Sequence, residues 1–536
     1  MKGKDEKDFS RRVHLILSAS LTAGLVLSAG MTAMAYTPGT YTASAKGMES
    51  DVTVTLTVTE DGIEKADIDS SGETPSIGAA AEETLEQQVM DAQSADIDGV
   101  AGATVTSTAV RTALKDCLQQ AGGAEDAKED ETEAASSEKD TAETAGKQSG
   151  ARVAKTNTGI TVTKAEDWAE EYPDIYKSYM KNEENSEQTD YLEEYPYLKT
   201  LYEGYGFAIQ YDSARGHSYV IDDVTSTGRP HKLANCFTCK TSDFTAMTLQ
   251  EGDAAYSKAF EEVQSQITET FGCFHCHENE PGTLYVTHTY LANALGNDID
   301  TIDPKTLSCA QCHVEYYFDN DTKATSLPYT SYSTMNPDDI LNYYNTEYLQ
   351  DGQPYADWVD ENTGVRKIKV QHPEFETYMG EGSPMASTYS CADCHMGAAV
   401  NDNGETYTSH YWISPLKNEE LLKNDCSRCH ADLASEVADI QKKTEERTSD
   451  LGYRLEDMTN ELKKAAASGD YTEDELNDIR MAARNAQFYW DFVFVENSEG
   501  AHNPSLTAKC LDSAEKYLGQ AAGLMDKTEA STGKAG

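Results

Sequence analysis

The stretch CFTCK at residues 236–240, with CFHCH (273–277), CAQCH (309–313), CADCH (391–395) and CSRCH (426–430), decides how this chain folds. Each places two cysteines three positions apart and a nitrogen donor straight after the second: Lys240, His277, His313, His395 and His430. Two thiols at that spacing on one turn reach the two vinyl groups of a porphyrin, while the next residue drops its nitrogen onto the iron. A disulfide framework needs no histidine after every second cysteine, and zinc ribbons pair their cysteines without one. The expected cofactors are five c-type haems, held by Cys236 and Cys239, Cys273 and Cys276, Cys309 and Cys312, Cys391 and Cys394, and Cys426 and Cys429. Cys117 and Cys510 are left over and read as inert buried thiols.

The first pair ends in lysine, which ligates iron only as the neutral amine. Such a haem need not have a second protein ligand, so its other face is open to a substrate. The four histidine sites need four more axial ligands to act as low-spin electron carriers. His217, His231, His275, His288, His372, His410 and His502 are the candidates.

Around these sites, residues 167–396 are rich in tyrosine, glycine and short turns, and read as loops and short helices wrapped around something. Beyond His430, apolar residues recur at helical spacing over 432–448, 455–494 (with a break near Gly469) and 504–525, which predicts long helices. Toward the N-terminus, residues 123–155 form an acidic linker with almost nothing apolar. Before it, residues 36–122 alternate β-branched and polar positions (Val52, Val54, Leu56, Val58) and later turn helical, as a small α+β module does. Residues 1–35 run from lysines and arginines through an apolar stretch to Ala33-Met34-Ala35, the pattern of a secretory signal or an uncleaved anchor. The expected fold is a mainly α multihaem cytochrome domain (156–536) with long C-terminal helices, preceded by that α+β domain.

The formal charge of -50, from 93 acidic and 43 basic residues, argues against nucleic acid as a partner. With only 38% apolar residues and a mean hydropathy of -0.61, large flat cofactors must supply part of the buried surface.

A lysine-terminated first site followed by four CxxCH sites and a helical tail resembles the pentahaem ammonia-forming cytochrome c nitrite reductases. The resemblance runs from about Tyr191 to the C-terminal helices and implies reduction of nitrite to ammonium. In RGHSY (215–219) it implies an active-site arginine at Arg215 and a distal ligand at His217. CAQCHVEYYFD (309–319) implies a calcium-binding Glu315 and a catalytic Tyr316, which is also placed at the calcium. KVQHPEFE (369–376) implies the Lys369 carbonyl and Gln371 side chain as calcium ligands, and a catalytic His372. His410 and His502 match expected distal ligands. The distal histidine expected shortly before Cys391 is missing, leaving Met385 or His288 to take its place. A homodimer through the C-terminal helices follows from the same resemblance; export to the periplasm or cell surface follows from the N-terminal signal pattern, and a quinol-linked or other electron donor and haem-attachment machinery are the expected partners.

ETPSIG (73–78), Gln93-Ser94 and DGVAGATVTS (98–107) resemble the domains that accept FMN covalently from a flavin transferase, which implies FMN on Thr104. Ala101 stands where serine or threonine is commoner. The physical logic of the cytochrome site also stands alone. A cationic arginine polarises a small anion, His372 and Tyr316 deliver protons, and calcium fixes the loop and adds positive potential. The alternatives are a pure electron-transfer protein, or a reductase of another small substrate such as hydroxylamine or sulfite.

Overall fold

Alternation along residues 52–58 buries Val52, Val54, Leu56 and Val58 on one face of a three-stranded antiparallel sheet, while the threonines between them face the other way. The strands are β1 (Gly39–Lys46), β2 (Asp51–Thr59) and β3 (Gly62–Asp69), in that order across the sheet. Helices α1 (Glu82–Ala92) and α2 (Thr104–Gln120) close the core with Leu85, Val89, Val110 and Leu114, each burial contributing about 1.5–3 kcal/mol. Buried Glu73 accepts from the Ser50 amide (2.8 Å) and the Thr106 hydroxyl (2.7 Å), which ties the sheet to the first turn of α2. Gln93 returns its side chain to the backbone of Ile63, accepting from its N–H at 2.8 Å and donating to its carbonyl at 3.1 Å.

This computed structural model describes residues 37–46, 50–59, 62–73, 81–94, 97, 104–121, 152–230 and 233–526. The leader expected over 1–35, nearly all of the linker and Ala101 lie outside these residues. The chain divides into two units, Met1–Lys139 and Asp140–Gly536. Arg152–Val153 already pair in parallel with Tyr285–Val286, so the end of the segment read as linker belongs to the second unit.

In the second unit the short elements up to Asn424 lead into three long helices, α3 (Leu433–Ser468), α4 (Glu473–Phe494) and α5 (Pro504–Met525). Their ends follow from local chemistry. Asp432 caps α3 and Gly469 ends it in the left-handed region (φ 75°). Thr472 and Glu475 form a capping box on α4, and Asn503 with Pro504 opens α5. The sequence reading separated 432–448 from 455–494 and expected a break at Gly469. The structure keeps that break but runs α3 unbroken through 449–454. A side chain at Gly452 would come within 2.6 Å of the Tyr197 ring, so glycine there serves close packing and does not stop the helix. Among the described residues, no helix is long and apolar enough to cross a membrane.

Candidate functional site

All ten paired cysteines, with Lys240, His277, His313, His395 and His430, line one continuous cavity of about 2680 Å³. A pocket for one drug-sized ligand is roughly 300–1,000 Å³, so this space suits several large groups. None of the cysteines is paired in a disulfide, and Cys117 and Cys510 are buried as expected. Neighbouring sites lie side by side: Cys239 is within hydrogen-bonding reach of Cys312 and Cys309 of Cys391, while Cys276 feels the charge of Cys309 and Cys394 that of Cys426. The sites therefore form a chain running from the Cys426 site through the Cys391 and Cys309 sites to the Cys236 site, with the Cys273 site branching at Cys309.

Local backbone sets each donor. The N–H groups of His277, His313 and His430 donate to the carbonyls of Cys273, Cys309 and Cys426 at 3.0, 2.9 and 2.9 Å, and His395 ends a short helix capped by Ser390 and Asp393. Lys240 donates instead to Phe237 (3.0 Å), because Cys239 adopts a left-handed conformation with φ 63°.

Five of these histidines have an occupied Nδ1. His277 faces the Thr283 carbonyl at 2.7 Å, His395 that of Ile413 at 3.0 Å, and His410 that of Thr408 at 3.2 Å. His430 faces Glu436 at 2.8 Å and His502 faces Glu496 at 2.7 Å. An acceptor at Nδ1 fixes the tautomer that leaves Nε2 for a metal. Burial holds His217 down to about 3 and His395 and His410 down to about 4, so these imidazoles are neutral, as ligands must be.

With metal–imidazole bonds of about 2 Å, two imidazoles on opposite sides of one ion have ring centres roughly 6 Å apart. His277 and His410 stand at 6.3 Å, His313 and His217 at 6.0 Å, and His395 and His502 at 6.1 Å, all lining the cavity. His372 is also 5.9 Å from His313, but the two face the same carboxylate through Nδ1, at 3.7 Å (His313) and 4.0 Å (His372) from Glu374. His275 and His288 stand 6.0 Å apart as well, yet neither lines the cavity; His288 is buried beside Cys239 and Cys312.

Around Lys240 the structure gathers Tyr316, His372 and an arginine the sequence reading missed. Arg215 is committed elsewhere: its Nη2 donates to Asp223 at 2.6 Å and its guanidinium lies over Tyr219, so the active-site role expected for it has no support here. Arg229, stacked 4.3 Å over Phe207, is the arginine whose charge acts on Lys240 and Cys236. Burial lowers the Lys240 pKa, toward the neutral amine that ligation requires. Burial and the Cys239 and Cys236 thiols raise the Tyr316 pKa, keeping its hydroxyl protonated. His372 lies against Glu374 and His313 and feels the charges of Lys240 and Cys239, and its Nδ1 is buried without a hydrogen-bond partner.

Behind Tyr316 is a group of buried oxygens. Glu315 accepts from the Gln371 amide at 2.6 Å and the Tyr344 hydroxyl at 2.9 Å, and the Lys369 carbonyl accepts from the Gln371 side chain at 2.8 Å. Asp491 of α4 anchors this loop, accepting from Lys369 Nζ at 3.3 Å and the Val370 N–H at 3.0 Å, and so fixes where His372 sits. Burial pushes Glu315 well up, Asp357 to about 6 and Glu376 to about 8. The donor set is all oxygen and suits calcium. In the first unit, Thr104 is the first residue of α2, where helical N–H groups favour phosphate.

Residues 164–536 match the family described as cytochrome c552. The chain belongs to the cytochrome c552 family. Residues 47–119 match the FMN-binding domain. Within the cytochrome c552 family, the cytochrome c nitrite reductase subunit NrfA of Nitratidesulfovibrio vulgaris is 32% identical over 420 residues, 68% of this chain and 79% of that protein. Cytochrome c-552 of Aliarcobacter butzleri is 32% identical over 388 residues, covering 67% and 75%. The solved cytochrome c nitrite reductase of Desulfovibrio desulfuricans, whose catalytic subunit is described with two calcium sites, aligns with a TM-score of 0.61 at 32% identity, over 69% of this chain and 87% of that one. The cytochrome c552 domain is thus an enzyme fold built around c-type haem, joined to a flavin-binding module.

Proposed function

We propose that the chain reduces nitrite to ammonium at the Lys240 site. The observation that carries this reading is the convergence of Arg229, Tyr316 and His372 on the one CxxC site that ends in lysine. The haem there would supply electrons and a free coordination position. Arg229 places positive charge beside that face, which draws a small anion in and polarises its N–O bonds as electrons arrive. His372 and Tyr316 carry protons to the departing oxygens, so that both leave as water. A pure relay has no use for three such groups beside one ligand.

Four further c-type haems on the histidine sites would carry electrons along the chain of sites. His217, His410 and His502 would serve as distal ligands of the sites of His313, His277 and His395. Glu315, the Tyr316 and Lys369 backbones and Gln371 would hold calcium, and ionised Glu315 would then be compensated. Thr104 would hold FMN covalently through its phosphate, and the acidic linker would let that domain reach both a donor and the haem chain. Export, the electron donor, and a homodimer through the C-terminal helices complete the proposal.

The test is reduced-dye turnover of fully haem-loaded protein with nitrite, sulfite and hydroxylamine, with ammonium quantified. Ammonium from nitrite at rates well above those from sulfite is expected. Its absence overturns the reading and leaves the relay.

A further inference from the structure

We propose that Met385 is the sixth ligand of the iron at the His430 site, which makes that centre His/Met while the other three histidine sites are bis-histidine. The assignment is independent of the substrate.

The first step is elimination. His277, His313 and His395 each face a partner imidazole across the cavity at 6.0–6.3 Å. His430 is prepared in the same way, with Nδ1 held by Glu436 at 2.8 Å, yet no described imidazole faces it. His372 is committed beside Lys240, and His275 and His288 are buried away from the cavity. His231 lies outside the described residues.

The second step is placement. The Met385 carbonyl accepts from the Thr388 and Tyr389 amides at 2.9 and 3.0 Å, which closes a tight turn. The turn is anchored at its end by the Tyr378 hydroxyl, which donates to the Tyr389 carbonyl at 2.7 Å. Half-buried Met385, with Thr388 and Tyr389, lines the same cavity as Cys426, Cys429 and His430, and both of these cysteines act electrostatically on Tyr389. Its competitors fit less well. Met396 follows His395 directly, with its N–H on the Ala392 carbonyl, and belongs to the fourth site's own turn. Lys305 is paired with Asp393 at 3.0 Å, and Lys417 is exposed.

A thioether is a neutral, soft ligand that favours ferrous iron, so this centre has the highest potential among the histidine sites. It also ends the chain of sites. Cys426 acts electrostatically on Cys394 of the fourth site, and Cys429 is exposed. Electrons arriving from outside therefore fill this centre first.

Far-red absorption and near-infrared magnetic circular dichroism of the ferric holoprotein provide the test. Wild type is expected to show one thioether-to-iron charge-transfer band. Met385→Leu should abolish it, Met396→Leu should keep it, and Met385→His should replace it with a fourth bis-imidazole signal and lower one midpoint potential. No thioether band in wild type, or a band that survives Met385→His, overturns the assignment. Should Met385→Leu lose haem, wild type and Met385→His still decide.

Discussion

The lysine site and the four histidine sites use the same cysteine spacing but differ in backbone and surroundings. At the histidine sites the donor continues a helical turn and a carbonyl or carboxylate aims its ring. At the lysine site Cys239 turns left-handed, Lys240 falls back on Phe237, and Arg229, Tyr316 and His372 line the same cavity. On the proposed reading, covalent attachment at these sites would fix only where an iron sits. Whether it conducts or reacts depends on what fills its second face: an imidazole with an occupied Nδ1, or cationic and proton-bearing groups that leave room.

The largest effect belongs to proton delivery. His372→Gln should lower nitrite turnover by about 10²–10⁴-fold while leaving the bis-imidazole signals unchanged. If the variant instead loses one of those signals, His372 is the ligand opposite His313, and the contrast between the two kinds of site breaks down.

Next is the pair of arginines. Arg229→Ala should cost roughly 10²–10³-fold in kcat/KM for nitrite, the scale of removing one preorganised electrostatic donor. Arg215→Ala removes only a partly exposed pair with Asp223, worth about 0–1 kcal/mol, and should change kcat/KM far less. The reverse order would return the role to Arg215.

These two arginines show where sequence reading stops. The five CxxC sites are legible because their chemistry lies within five residues. The ring pairs His217 with His313, His410 with His277 and His502 with His395 bring together residues up to 133 positions apart, and only the resemblance suggested which histidines were distal. Nothing local separates Arg215 from Arg229, fourteen positions apart on one stretch. The fold separates them, because the helix Val220–Ser226 presents Asp223 to Arg215 and leaves Arg229 at Phe207 and Lys240. The same holds for α3: Gly452 reads as a weak point in a helix until Tyr197 is seen packed on it. Apolar periodicity located α5 and the Gly469 break because those signals are carried by consecutive turns and caps.

Calcium gives a smaller, pH-dependent effect. Asp357 is raised from 3.8 to about 6 and Glu376 from 4.5 to about 8 by burial, so the folded protein without a cation binds more protons than the unfolded chain between those values. Its stability therefore falls as pH rises from about 4 to 8. Calcium needs the carboxylates ionised, so it binds more tightly over the same range and offsets the loss. At one hundred times its Kd it should add about 2.7 kcal/mol. The difference in Tm between calcium-loaded and chelated protein should grow from pH 5 to pH 8 and shrink in Glu315→Gln. A difference that is flat with pH would separate the Glu315 group from the cation and leave Tyr316 positioned by protein alone.

The smallest effect on the haem sites comes from the flavin unit. Thr104 opens α2, and Glu73 ties this first turn to the sheet through the Thr106 hydroxyl. Thr104→Ala should therefore remove the flavin fluorescence that stays with the denatured chain, and leave the haem spectrum and the Tm of the cytochrome c552 domain within error. Retained covalent flavin would place the attachment on another hydroxyl of the segment. A changed haem spectrum would mean that the flavin unit alters the iron environments themselves, and the division between conducting and reacting sites would then have to include a third part of the chain.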